Sequence, residues 1–349
     1  MPSSHEAAFR STAVSDVIIV GGGAIGMTTA LALQARGLRC TLIERGTLGA
    51  ESSWAGGGIL APLRPWHYPQ RVWDLVARSR ALYAELQDGL QRSSGVDIEL
   101  LHCGATLLDS ADFDLAREWH ARVGLPCENT HCGNAEAIAM PWVQQVRNPR
   151  LIRALRGAME ASGIPVWEQT PVQALCRDGD RVTGVHIDQG ALRAPHTVVA
   201  AGAWSGHFSE SVSARVRPMR GQMLRLEPAS DHPSAAGIWL LPEAYVIVRG
   251  DGTTLLGSTV EDAGYDKSVT PEARERLLRT AASYLPWIKA ARVVDHWAGL
   301  RPGSANGEPI IGADPALRGL WWNTGHFRTG LAMAPASAEE LAEAIRTTG

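Results

Sequence analysis

Lysine is almost absent. Lys267 and Lys289 are the only two in 349 residues, and neither lies in a glycine-rich loop. That argues against a phosphate-binding loop of the nucleotidase type, which needs a lysine on its phosphates, and it weakens any Schiff-base mechanism. Cysteine is sparse too: Cys40, Cys103, Cys127, Cys132 and Cys176 are odd in number and scattered, so they form no disulfide framework and point to a reducing compartment. No stretch approaches the roughly 20 apolar residues of a membrane span. Met1 to Ser15 is polar and lacks the apolar core of a secretory signal. Charge of either sign is not in excess, the formal net charge being −3. Nothing in the overall balance therefore recommends nucleic acid or anionic lipid as a partner. The expectation is a cytoplasmic protein that acts off the membrane.

Against these absences, 45% of residues are hydrophobic, with 36 glycines and 20 prolines. The length suggests about two domains, each with room for a core. Asp16-Val-Ile-Ile-Val20 reads as a short, fully buried parallel strand. Gly21-Gly-Gly-Ala-Ile-Gly26 follows at once, then Met27 to Arg36 is rich in helix formers and Gly37 ends it. Leu38 to Ile43 is a second apolar strand closing on Glu44, which completes a βαβ unit. Downstream, Arg181 to Ile187 alternates like a half-exposed strand, and His196 to Ala201 reads as buried before Gly202-Ala-Trp-Ser205. Near the C-terminus, Leu320 to Asn323, then Thr324 to Gly330, then an alanine-rich helix to about Arg346 repeat the form. Strand-like runs such as Gln222 to Leu226 and Ala244 to Val248 lie between these blocks. The expected organisation is a discontinuous nucleotide domain (residues 1–90, 148–213 and 295–349) carrying an inserted substrate domain (residues 91–147 and 214–294).

Gly21, Gly23 and Gly26 spell G-x-G-x-x-G between a strand and a helix. Gly21 permits the tight turn, Gly23 lets backbone approach a pyrophosphate, and Gly26 allows close helix–strand packing. The helix N-terminus then faces phosphate with N–H groups and a positive dipole end. Glu44, 18 residues past Gly26, is placed to accept from a ribose diol. A dinucleotide is implied. After Glu44 comes a second glycine run, Ser52-Ser-Trp-Ala-Gly-Gly-Gly-Ile-Leu60. An NAD site does not require it, whereas a ring system lying against backbone does.

These segments, with Ala298 to Gly303 and Gly325 to Gly330, resemble the D-amino acid oxidase superfamily of flavoproteins from about Asp16 to the C-terminus. Within it they look most like the bacterial branch that oxidises glycine for thiamine thiazole synthesis. The resemblance implies an α/β fold: a Rossmann-like FAD-binding domain with an inserted mixed or antiparallel-sheet α+β substrate domain. It implies non-covalent FAD, with Ala24 and Ile25 on the pyrophosphate turn and Glu44 and Arg45 at the adenosine ribose. Ser52 and Ser53 match positions near the phosphates, and Gly57, Gly58 and Ile59 match the flavin-facing loop. Val172 matches the position whose backbone meets the adenine. His326, Phe327, Arg328, Thr329, Gly330, Leu331 and Ala332 match the loop and helix start beneath the flavin.

Arg301 lies in Gly299-Leu-Arg-Pro-Gly303, read as a rigid turn suited to gripping a carboxylate through paired hydrogen bonds. The resemblance makes Arg301 the substrate-carboxylate anchor, Tyr245 its partner, and the Arg328 backbone carbonyl an acceptor for the amine. It implies oxidative deamination of glycine and small relatives such as sarcosine and D-alanine, with O2 as acceptor, in a homo-oligomer that is often a tetramer. The alternatives are a D-amino acid dehydrogenase using a quinone or carrier, a non-catalytic dinucleotide-binding module, and an NAD-dependent dehydrogenase. Val260 and Glu243 depart from the branch pattern and are expected beside the pocket. Cys127, His131 and Cys132 lack a second ligand pair and read as a loop rather than a zinc site. His296 reads as a packing residue, Trp321-Trp322 as a buried strand, and no metal is expected.

Overall fold

The computed structural model describes residues 15–227, 233 and 235–348, so the polar N-terminal residues 1–14 lie outside the described residues. Two sheets organise the chain. The first has six strands in the order Ile310–Ala313, Leu320–Thr324, His196–Val199, Val17–Val20, Cys40–Ile43 and Val166–Trp167. All neighbours in it are parallel except Ile310–Ala313, which runs antiparallel to Leu320–Thr324.

Alternation along its central strand explains why that strand is apolar throughout. Val17 and Ile19 face one way, into a core with Ala30 and Leu33 of the helix Ala24–Gln34 and Leu341 of the helix Gly330–Thr348. Ile18 and Val20 face the other way, against Val185, Ile187 and Leu192 of a small three-stranded sheet. A strand covered on both faces needs no polar positions. The helix starts three residues before the expected Met27 and stops at Gln34, with Gly37 left-handed just beyond it.

The second sheet has eight strands, in the order Arg292–Ser304, Val216–Glu227, Thr254–Gly257, Tyr245–Val248, Gly237–Leu240, Ala105–Leu107, Ala135–Met140 and Glu128–Cys132. Only Gly237–Leu240 and Ala105–Leu107 pair in parallel. Leu224, Val246 and Leu256 pack under Leu277 and Ala281 of the helix Pro271–Tyr284. Met223, Tyr245 and Ile247 point to the opposite face, toward the helix Gln70–Ser94 and the start of Gly330–Thr348. Arg292–Ser304 pairs along its length with Val216–Glu227, so residues 295–304 are part of this second sheet. Among the described residues no helix is long and apolar enough to cross a membrane.

The C-terminal helix contains Pro335, which cannot donate to the Leu331 carbonyl one turn back. Tyr83 on Gln70–Ser94 takes over, its hydroxyl donating to Leu331 O at 2.6 Å, and the Ala336 N–H donates to Ser79 Oγ at 3.1 Å. Two side chains of one helix thus repair the ladder of the other. Tyr83→Phe removes the donor without opening a cavity and strands a buried carbonyl. It is expected to cost about 1–3 kcal/mol, read as a lower urea midpoint. An unchanged midpoint would show that Leu331 O is satisfied in some other way.

Candidate active site

In an open parallel sheet, ligands bind beyond the carboxyl ends of the strands, where the chain order reverses. Here that point lies between Val17–Val20 and His196–Val199. A cavity of about 440 Å³ opens there and runs between the two sheets. Gly21, at φ +110°, makes the turn out of the first strand. A Cβ on it would stand 2.5 Å from Ala200 O, so only glycine lets the two strand ends meet. Gly26 does not line the cavity. It packs under the turn, where a Cβ would stand 1.9 Å from Gly21 O.

Gly21, Gly23, Ala24, Ile25, Glu44, Arg45, Ser52, Ser53, Gly57, Gly58, Ile59 and Val172 all line this cavity. So do Tyr245, Arg301, His326, Phe327, Arg328, Thr329, Gly330 and Leu331. Ala332 does not: it is packed in the core with Met333 and Ala336, because the helix turns it away from the cavity wall. Val260 and Glu243 do not line it either. Val260 is 44% exposed and Glu243 is on the surface, so neither neighbours the pocket.

At the dinucleotide end, Glu44 accepts from the Gly22 N–H at 2.7 Å and from the Gly46 N–H at 2.8 Å, one bond to each carboxylate oxygen. Each oxygen keeps a lone pair for a hydroxyl group. Ser53 Oγ accepts from the Ala24 N–H at 2.9 Å, which caps the helix and leaves its own hydrogen free to donate. The Arg45 guanidinium stacks 3.6 Å over the ring of Trp204 and pairs with Glu51 at 3.1 Å.

At the far end lie Arg301, Tyr245, Tyr68 and Arg328. Arg301 is not in a turn but in the edge strand Arg292–Ser304, paired with Met219. Pro302 is tolerated there because an edge strand has one side without ladder partners. The guanidinium donates to Thr259 O at 3.0 Å and to Ser258 Oγ at 2.7 Å, and it lies across Gly221, where a Cβ would stand 2.0 Å from it. Burial pulls the Arg301 pKa below its ordinary value and the nearby Arg328 pulls the same way, while Tyr245 and Tyr68 oppose them. The Tyr245 hydroxyl lies 3.6 Å from Met223 Sδ and within hydrogen-bonding reach of the Arg301 guanidinium. Two arginines therefore face this end without a carboxylate. The acids lining the cavity, Glu44 and Glu51, are held at the dinucleotide end by backbone N–H groups, Arg45 and Lys267.

The residues that motif reading missed here are Tyr68, Asn148, Trp204 and Gly221. For Trp204 a signal existed, since it follows the carboxyl end of a parallel strand. Tyr68 and Gly221 come from segments that nothing local marks as functional.

FAD fits the cavity on three observations of the structure. Glycine backbone lines the wall where a pyrophosphate and a ring must approach closely, a carboxylate with spare acceptor capacity closes the second strand, and two buried polar atoms on the wall, Asn148 Oδ1 and His326 Nε2, lack protein partners. Burial lowers the His326 pKa to about 3, so this imidazole is neutral at physiological pH. Phe327 beside it is held at φ +47°, a strained conformation for a bulky residue and of the kind that gathers at functional sites.

The folded chain holds His326 neutral, whereas the unfolded chain protonates it below about pH 6.5. Its contribution is therefore intact above pH 6.5 and is lost as pH falls toward 3, at about 1.4 kcal/mol per pH unit. His326→Gln should flatten the acid limb of a stability–pH curve in that window. An unchanged slope would mean that other groups set it.

The comparisons agree with this geometry. Residues 16–344 match the DAO family, described as FAD dependent oxidoreductase. Glycine oxidase of Pseudomonas aeruginosa is 42% identical over 94% of this chain and 93% of its own, and that of Pseudomonas putida is 41% identical over 93% and 92%. The bifunctional protein ThiO/ThiG of Synechocystis is 30% identical over 95% of this chain and 51% of its own. The crystal structure of glycine oxidase from Geobacillus kaustophilus superposes with a TM-score of 0.88 at 27% identity, covering 96% of this chain and 95% of that one. A Rossmann-type cradle, a glycine wall and a family match over nearly the whole chain lead to one conclusion: the chain belongs to the DAO family of FAD-dependent oxidoreductases.

Proposed function

We propose that the protein oxidises glycine and small relatives such as sarcosine and D-alanine. A hydride leaves Cα, the imine takes up water to give glyoxylate or another oxo acid with ammonia (methylamine from sarcosine), and O2 is reduced to hydrogen peroxide. The single observation that carries this reading is the pair of cations, Arg301 and Arg328, with the Tyr245 hydroxyl at one end of the cavity and no acid among the residues lining that end. That arrangement asks for a small monoanion. The names of the relatives support glycine as that anion, and the ThiO/ThiG name supports a place in thiamine synthesis.

Arg301 holds the substrate by its carboxylate. Its guanidinium has five N–H donors, and Ser258 and Thr259 occupy two of its nitrogens from behind, which fixes the direction of the rest. The Tyr245 hydroxyl, beside the Arg301 guanidinium and with a weak thioether acceptor in Met223, donates to the same carboxylate. An ammonium beside two arginines is disfavoured, so the amine is held neutral and its lone pair assists hydride loss. The Arg328 backbone carbonyl accepts from the amine. FAD, when bound along Gly21–Ile25, Glu44 and Gly57–Ile59, supplies the two-electron acceptor and its reoxidation by O2. The protein otherwise contributes positioning, worth several kcal/mol when reacting atoms are held in contact. The same reading takes residues 305–349 with 1–90 and 148–213 as the FAD domain, 91–147 and 214–304 as the substrate domain, and the whole as a cytoplasmic homo-oligomer.

Anaerobic glycine should bleach the yellow holoenzyme, and air should restore the colour with release of peroxide. Recovery only with an added quinone would make it a dehydrogenase, and no bleaching by glycine, sarcosine or D-alanine would overturn the substrate assignment. Arg301→Ala should keep FAD yet lose about 2–5 kcal/mol in kcat/KM, mostly through KM. An unaltered KM would remove Arg301 from the site. Gly221→Ala should displace the guanidinium and raise KM about tenfold or more while the fold survives, because a flexible side-chain end is what must move.

A further inference from the structure

Behind the glycine loop lies a buried cation that no step above uses. Arg249, only 4% exposed, ends the strand pair that carries Tyr245 and does not line the cavity. One guanidinium nitrogen donates to Gln145 Oε1 at 2.6 Å and to Val146 O at 2.7 Å, and another donates to Gly57 O at 2.7 Å. All three acceptors are neutral. Burial and the nearby Arg147 lower its pKa to about 10, with Glu99 and Asp251 opposing, so it keeps its charge at neutral pH. An apolar residue of similar length would fill the space without the cost of desolvating a cation.

What the charge reaches is one peptide group. Gly57 O belongs to the Gly57–Gly58 peptide, whose N–H is that of Gly58. In a trans peptide the N–H points opposite to the carbonyl. Gly57 and Gly58 line the cavity and Arg249 lies off it, so the carbonyl is turned away from the cavity and the N–H toward it. The next carbonyl, Gly58 O, is likewise engaged from behind, accepting from the Val146 N–H at 2.9 Å. A cation on the oxygen of an amide polarises it and strengthens the opposite N–H as a donor. Gly58, at φ +78°, admits no side chain, since a Cβ would stand 2.1 Å from Val146 O.

We propose that Arg249 is a positioning residue for the flavin reaction: gripping the Gly57 carbonyl, it aims the Gly58 N–H at the cofactor and strengthens it against the negative charge the cofactor gains on reduction. This rests on the reading that Gly57–Ile59 face the flavin.

Sulfite titration of the oxidised holoenzyme tests it, because the adduct places negative charge on the ring without any amino acid present. In Arg249→Met the sulfite Kd should rise at least tenfold while the KM for glycine holds within twofold. Arg249→Lys, which keeps the charge, should stay within threefold of the parent. If Arg249→Met loses FAD, Arg249→Gln, which still donates to Gly57 O without a charge, carries the test with the same tenfold expectation. Uncharged variants that hold FAD and bind sulfite like the parent would overturn the proposal, as would a lysine variant no better than the glutamine one. Failure of the glycine reading would leave the sulfite result standing, which separates the two.

Discussion

Backbone touching backbone is the constraint on which this structure depends. Along the cavity the chain meets itself at positions where a Cβ would not fit. Gly21 meets Ala200 where the first sheet reverses its order, and Gly58 meets Val146 where the second glycine run passes the start of the Asn148–Ala161 helix. Gly299 meets Ala55, so the edge strand that carries Arg301 docks directly on the Ser52–Ala55 turn.

A second consequence is the separation of charge along the cavity. Acids are confined to the dinucleotide end, where backbone N–H groups, Arg45 and Lys267 hold them. The opposite end has Arg301 and Arg328, and His326 contributes no charge there because burial keeps it neutral. In a poorly hydrated site such a field selects an anion and disfavours a cationic amine. On the proposed reading, binding of the carboxylate and readiness of the amine then follow from one arrangement.

How much of this was legible in the sequence differs from residue to residue. Val17–Val20, Gly21 to Gly26 and Glu44 could be placed because their information is local: a strand, a turn and a helix in direct succession set their geometry. Arg301 was identified but misplaced in a turn, since Pro302 and Gly303 look like a turn until the partner strand Val216–Glu227 is known. Pro302 is permitted because its own strand, Arg292–Ser304, is an edge. Tyr68, Gly221 and Arg249 gave no local signal. Each acts on something more than 60 residues away in sequence, as Gly221 does by leaving room for the Arg301 guanidinium.

The sequence by itself determined the βαβ unit, the dinucleotide cradle and the chemistry that a second glycine run implies, because propensity and spacing operate over a few residues. The tertiary structure decided which face of the second sheet closes the cavity, where the two arginines converge, and what stands behind the glycine loop. Those outcomes depend on sheet register and on the burial of charge. Both are set only when strands from 216–227, 245–248 and 292–304 pack against the loop at 52–60, and no local pattern encodes that meeting.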